Sequence, residues 1–254
     1  MAPLAQLSLT ALPGIPRVRA GDDLAAVLGD ALDAAALLPA AGDVLVLAQK
    51  IVSKAEGRQI ALATVTPSQA ALELAARTGK DPRLVELILS ETDEVMRVRD
   101  GLLIVRHRRG WVLANAGIDQ SNIEGEDQAL RLPRDPDASC AALRERLRER
   151  YGVDIAVMVI DSFGRAWRNG TIGTAIGASG LPGLRDLRGR PDLFGRPLLT
   201  SELGHADEIA AAASLLMGQA DDGLPAVLLR GLPRPERDGN AAELVRSRAQ
   251  DLFP

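Results

Sequence analysis

Between Glu94 and Ala114 the chain carries three strand-like runs, EVMRV, LLIVRH and WVLA. Only the turn-like Arg99–Gly101 and Arg108–Gly110 separate them, so they read as an antiparallel meander. Around this meander, helical and strand patterns are intermixed. Residues 22–38 put Leu24, Val27, Leu28 and Leu32 on one helical face, and Val44–Ala48 reads as a strand. In TPSQ, Thr66 can cap a helix, Pro67 suits its first turn and Gln69 can reach back in a capping box. That helix stops at Gly79, and Asp81-Pro82 opens another carrying Val85, Leu87, Ile88 and Leu89. Further on come an amphipathic helix, Ser139–Gly152, and an apolar strand, Val153–Ile160. Residues 170–200, rich in Gly, Pro and Arg, read as a long irregular functional segment. A helix from Leu203 to Met217, ended by Gly218, a strand in PAVLLRG and a last helix over 240–251 complete the chain. The meander breaks a simple strand–helix alternation. The expected class is therefore α+β, with a mixed, partly antiparallel sheet and packed helices. One domain over residues 1–254 is expected, and the nearest thing to a boundary is Leu132–Ser139.

Composition removes several functions. A net charge of −4 with six aromatic residues argues against a nucleic-acid surface, which needs a basic patch or a stacking platform. Cys140 is the only cysteine, which excludes intramolecular disulfides and Cys-rich metal sites, and with His107 and His205 the only histidines a histidine-dominated zinc site is not expected. No apolar run reaches the length of a membrane span, and the N-terminal segment does not read as a signal peptide. A cytoplasmic protein without membrane contact is the expectation.

No GxxxxGK[ST], no GxGxxG after a strand and no GxSxG is present. What remains is polar residues directly after apolar runs. In VIDSFGRAWRNGTIG, Asp161 and Ser162 end the strand-like IAVMVI, and Arg165 and Arg168 follow. A strand end is a rigid place for a metal ligand, and the arginines suit phosphate or carboxylate. The plainer reading is a turn-capping aspartate with solvated arginines. Asp119 and Asn122 follow WVLA, as hard-cation ligands or as a polar loop with Asx turns. Lys50 and Lys54, with Gln49 and Ser53 beside them, share a helix face and suit phosphate; a solvated pair is the commoner explanation. Gln219, Asp221 and Asp222 follow Gly218, where a C-cap and acidic loop is the simpler account. Acids and amides with basic residues, and no nucleophile, point to metal-assisted phosphate chemistry.

Together, LPGIPRVRAGDDL, DVLVLAQKIVSKAEG, LANAGIDQSN, VIDSFGRAWRNGTIGTAIG and LLMGQADDGLPAVLLRG resemble the coenzyme F420-0:L-glutamate ligase family, in order, from about Leu12 to Gly231. The resemblance implies a stand-alone, GTP-dependent ligase that adds L-glutamate to the lactyl-phosphate side chain of F420-0 and builds γ-linked glutamate tails. It implies an acyl-phosphate intermediate, two divalent ions (Mg²⁺ or Mn²⁺), room for a K⁺ requirement, and an intertwined homodimer. By position it makes Asp119, Asp161, Ser162 and Gln219 metal ligands, with no further catalytic residue assigned. It places Gly14, Ile15, Pro16, Arg17, Val18, Gln49, Lys54 and Asn122 at GTP. Met217, Gly218, Gln219, Ala220, Asp221, Asp222, Gly223 and Leu224 would pass beside the nucleotide. Arg165 and Arg168 are left to acceptor or phosphate contacts. Where the family often has a proline after Gly-Arg, this chain has Ala166. The rival readings are a non-catalytic metal- or nucleotide-binding protein of the same fold, and a metal-dependent phosphohydrolase.

Overall fold

The structure is a computed structural model and describes residues 6–235 and 237–251. In chain order the elements are β1 (Ser8–Ala11), α1 (Leu24–Ala34), β2 (Val44–Ala48), α2 (Gln49–Ala55), β3 (Gln59–Ala61), α3 (Gln69–Thr78), α4 (Pro82–Ser90), β4 (Thr92–Arg99), β5 (Leu102–His107) and β6 (Val112–Ala114). They continue with β7 (Gln128–Leu130), α5 (Pro136–Tyr151), β8 (Ala156–Arg165), β9 (Arg168–Ser179), β10 (Arg185–Asp186), β11 (Glu202–Leu203), α6 (His205–Met217) and β12 (Ala226–Arg230).

The main sheet has the order β1-β12-β2-β8-β9. Only β2 and β8 are parallel neighbours, and the other pairings are antiparallel. Its central strands are apolar on both faces because helices cover both. Leu45, Leu47, Val157, Val159 and Leu228 face the core built with α1, α2 and α5. Val44, Val46, Met158, Ile160, Val227 and Leu229 face the core built with α6. The two-residue period of a strand divides VLVLA and AVMVI between these two cores.

After α2 the chain leaves this sheet and builds a lobe. The meander β4-β5-β6 packs with α3 and α4 around Leu62, Ala71, Val85, Ile88, Leu103 and Val105. The expected α+β architecture with a mixed sheet is what the elements form. Arg58 donates to the Leu132 carbonyl at 2.8 Å, tying together the two chain crossings at the base of the lobe.

Local chemistry sets most boundaries. Asp81 accepts from the Arg83 amide with Pro82 in the first turn of α4, and left-handed Gly79 ends α3. The start of α3 differs from expectation. Ser68, extended and one residue before the helix, caps it by accepting from the Ala71 amide. Thr66 lies outside, and Gln69 donates to Glu73 instead of closing a capping box. Residues 240–251 do not form a helix; they make two 3-10 turns, Ala241–Leu244 and Arg248–Gln250. Contacts to distant side chains hold this segment: Ala241 to Asp137, Arg248 to Asp93 and Asp251 to Arg106.

The largest correction concerns the strand Val153–Ile160. It runs from Ala156 through Asp161 and Ser162 to Arg165, then turns at Ala166-Trp167 into β9. The first third of the segment expected to be irregular, 170–200, is therefore strand. Its glycines hid the pattern, because they serve close packing and carry no side chain to alternate.

Candidate active site

A cavity of about 1050 Å³ opens where β2 and its parallel pairing with β8 end. Ala48 of β2 pairs with Ile160 of β8, so Gln49-Lys50 leaves the sheet beside Asp161-Ser162, which continue in β8 paired with β9 alone. In sheets of this kind ligands collect outside the carboxyl ends of parallel strands. The remaining walls are the Ile15–Ala20 segment, the loop from Asn115 to Glu124 and the loop after α6.

Asp119 is held from both sides. Its backbone exchanges two hydrogen bonds with Leu130, at 3.1 and 2.8 Å. Its Oδ1 accepts from the Ser121 amide at 2.7 Å, and Oδ2 pairs with the Lys50 ammonium at 2.7 Å. Lys50 also donates to Ser121 Oγ at 2.6 Å. Next along α2, Lys54 donates to the Asn122 carbonyl at 2.7 Å. Asn122 Nδ2 in turn reaches the Ala220 carbonyl at 2.9 Å, joining the lobe to the loop after α6. Across the cavity Ser162 Oγ donates to Gln219 Oε1 at 2.7 Å.

Two cavity-lining side chains have a buried atom with no partner among the described residues: Gln49 Nε2 and Asn115 Oδ1. Asn115 and Ala116 are both left-handed, with φ of 54° and 53°. Such conformations cost of order 1–3 kcal/mol each and gather at functional sites.

The electrostatics of the two acids diverge. Burial, with the neighbouring charge of Asp119, pushes the Asp161 carboxyl up to about 6, against a backbone hydrogen bond at Ser162 and the charge of Lys50. Burial also pushes the Asp119 carboxyl up, but Lys50 and Ser121 more than offset it and the net shift is downward. Burial holds the Lys54 ammonium below its ordinary value, with Lys50 and Arg17 adding repulsion.

All four residues expected at metal (Asp119, Asp161, Ser162 and Gln219) line this one cavity. So do Ile15, Pro16, Arg17, Val18, Gln49, Lys54 and Asn122, and the loop residues Met217, Gly218, Ala220, Asp221, Gly223 and Leu224. Gly14 and Asp222 are not in the wall. Asp222 folds back over its own loop and accepts from the Ala220 amide at 3.3 Å. Arg165 and Arg168 are also outside it, paired with one another across the end of the β8–β9 hairpin. Lys50, Asn115 and Ser121 belong to the site without having been assigned to it from sequence. Lys50 carried a signal, its spacing from Lys54; the other two lie inside the motif LANAGIDQSN, which was the one signal that could have found them.

The donors suit a hard divalent cation. Two carboxylates, a hydroxyl and an amide oxygen line the same cavity, the oxygen donors that such ions take. Among the described residues no group of three or more His, Cys, Asp or Glu side chains forms a metal cage. Such an ion would thus depend on the hydroxyl and amide oxygens, and on its ligands, as well as on the two acids.

A sequence profile for the family described as F420-0:Gamma-glutamyl ligase matches residues 14–231. The chain is 46% identical over 249 residues to the coenzyme F420:L-glutamate ligase of Methanothermobacter thermautotrophicus, covering 97% of this chain and 98% of that one. It is 46% identical over 257 residues to the enzyme of that name from Methanopyrus kandleri, covering all of both. To that from Archaeoglobus fulgidus it is 42% identical over 240 residues, 94% of this chain and 93% of the relative.

Proposed function

The chain belongs to the F420-0:gamma-glutamyl ligase family, and on that premise we propose that it joins L-glutamate to coenzyme F420-0 at the expense of GTP, extending a γ-linked tail. The observation that carries the nucleotide and metal part of this reading is one cavity that collects Asp119, Asp161, Ser162, Gln219, Lys50 and Lys54. Acids beside lysines fit a polyphosphate and its counter-ions.

A carboxylate is a poor electrophile towards an amine. In the proposed reaction an oxygen of the acceptor carboxylate attacks the γ-phosphorus of GTP, and the bond to GDP breaks. The product is an acyl phosphate. The glutamate amine then attacks its carbonyl carbon, inorganic phosphate leaves and the nitrogen loses a proton. Asp119, Asp161, Ser162 and Gln219 would hold Mg²⁺ or Mn²⁺, which when bound offsets charge between the two anions. Lys54 and Arg17 bring positive charge to the same wall. The Asn122 link to Ala220 ties the loop after α6 to the lobe.

The homodimer belongs to the same proposal. Trp167 is 89% exposed at the hairpin turn, and Leu193, Phe194 and Leu199 are exposed on the arm that follows. Large apolar side chains gathered on projecting segments are what a partner subunit would cover.

Incubation with GTP, Mn²⁺, glutamate and F420-0, followed by GDP assay and product mass, tests the reading. GDP formation that requires glutamate and a product heavier by one glutamyl unit is expected. Phosphate release without glutamate would indicate a phosphohydrolase, and neither event would indicate a binding protein.

A further inference from the structure

Both carboxylate oxygens of Asp119 are engaged in this structure. Oδ1 accepts from the Ser121 amide, and Oδ2 accepts from Ser121 Oγ at 3.0 Å and from Lys50 at 2.7 Å. The three donors of the Lys50 ammonium have three acceptors: Asp119 Oδ2, Ser121 Oγ at 2.6 Å and the Ser121 carbonyl at 3.2 Å. Lys50 thus sits as a cation in an oxygen cage formed by Asp119 and Ser121. A divalent ion bound by Asp119 would compete with it for the same carboxylate oxygen.

The two lysines of α2 differ in this respect. Lys54 is spent on a backbone carbonyl, that of Asn122, and faces no carboxylate within ion-pair distance among the described residues. Lys50 is set against the acid itself, with the two side chains 25% and 36% exposed. Its ammonium is a compact charge on a flexible stem, so it can leave the acid for another anion in the same cavity. A triphosphate offers several negative charges against the single one of Asp119.

We propose that Lys50 is a displaceable counter-ion of Asp119, which releases the carboxylate to the divalent ion only when the nucleotide polyphosphate arrives to take up the ammonium. Metal and nucleotide then enter as one unit, and the site resists metal alone. Such coupling is reciprocal, each ligand tightening the other by the same factor, typically 5–150-fold. The proposal rests on the metal and nucleotide reading above and adds an order of binding to it.

The test is Mn²⁺ binding, followed by the electron paramagnetic resonance of the free ion, with and without GTP. Wild type is compared with Lys50→Gln and with Lys54→Gln, which removes the same charge from the same helix but not from Asp119. Wild type should bind Mn²⁺ at least about tenfold more tightly with GTP than without. Lys50→Gln should bind Mn²⁺ alone about tenfold more tightly than wild type and lose most of the coupling, whereas Lys54→Gln should stay within about twofold of wild type for Mn²⁺ alone. Unchanged or weaker binding of Mn²⁺ alone by Lys50→Gln, or an equal gain in Lys54→Gln, overturns the counter-ion role and leaves the functional reading standing. A wild type that binds no Mn²⁺ even with GTP removes that reading, and the proposal with it.

Discussion

Ser162 and Gly173 are register partners across the β8–β9 hairpin, and the space beside Gly173 is occupied by α6. A Cβ built on Gly173 would lie 2.5 Å from the Ala210 carbonyl and 2.7 Å from Ser214 Cβ. The missing side chain lets α6 lie against the hairpin closely enough for Ser162 to reach Gln219 just beyond the end of that helix.

Gly173→Ala should therefore disturb the site through α6. Overpacking costs about 1–3 kcal/mol, which for a chain of this size is roughly 2–4 °C in Tm per kcal/mol. Thermal denaturation should show that loss, and the KM for GTP should rise because Gln219 moves with the helix. A variant with wild-type Tm and KM would show that the contact is not close.

Asp161→Asn should reduce ligase turnover by about a hundredfold or more, on the scale of losing a group that positions transition-state charge. The fold should survive, since the change replaces a recessed carboxylate by a neutral group of the same shape. Circular dichroism and Tm check the fold, and steady-state turnover checks the role. Near-normal turnover would remove Asp161 from the metal set.

Asn122→Ala removes the side-chain link to the Ala220 carbonyl. One such hydrogen bond is worth about 0.5–1.5 kcal/mol, so the KM for GTP should rise roughly two- to tenfold with little change in stability. The kinetic effect should exceed the Tm effect, because the link joins two loops and not two core elements.

Stability should fall in mild acid because of His107. Burial pushes its imidazole down from 6.5 to about 4; Glu91 opposes the shift and Arg109, Arg108 and Arg58 reinforce it. Its Nδ1 accepts from the Arg109 amide, which the neutral ring permits. The unfolded chain binds a proton near 6.5 and the folded protein resists until about 4. The contribution is thus intact above the upper value and lost as pH falls towards the lower one. Urea unfolding at about pH 7.5 and about pH 5 should show the drop, and His107→Gln should shrink it.

Trp167→Glu should convert the proposed dimer to monomer, as read by light scattering during size-exclusion chromatography. Trp167 is 89% exposed and left-handed at its turn, so its own fold loses little. An unchanged mass would place the dimer contact elsewhere or remove it.

Much of the architecture was legible because its causes are local. The apolar run VLVLA, the Asp81-Pro82 start, the stop at Gly79 and the short turns of the meander act within a few residues. The sequence by itself also determined which residue types reach the site, since the motif segments that carry the family resemblance are short and ordered. Tertiary structure alone decided how they meet. Ser162 and Gln219 are 57 residues apart, and Lys54 and Asn122 are 68 apart. No spacing rule connects them, because the sheet and the lobe bring them together through packing. The same holds for Asp161 and Ser162, which lie within a long hairpin and not past a strand, since glycines that let β9 approach α6 and α5, Gly173 and Gly177, concealed it. It holds most of all for Lys50, which periodicity pairs with Lys54 and the fold sets against Asp119.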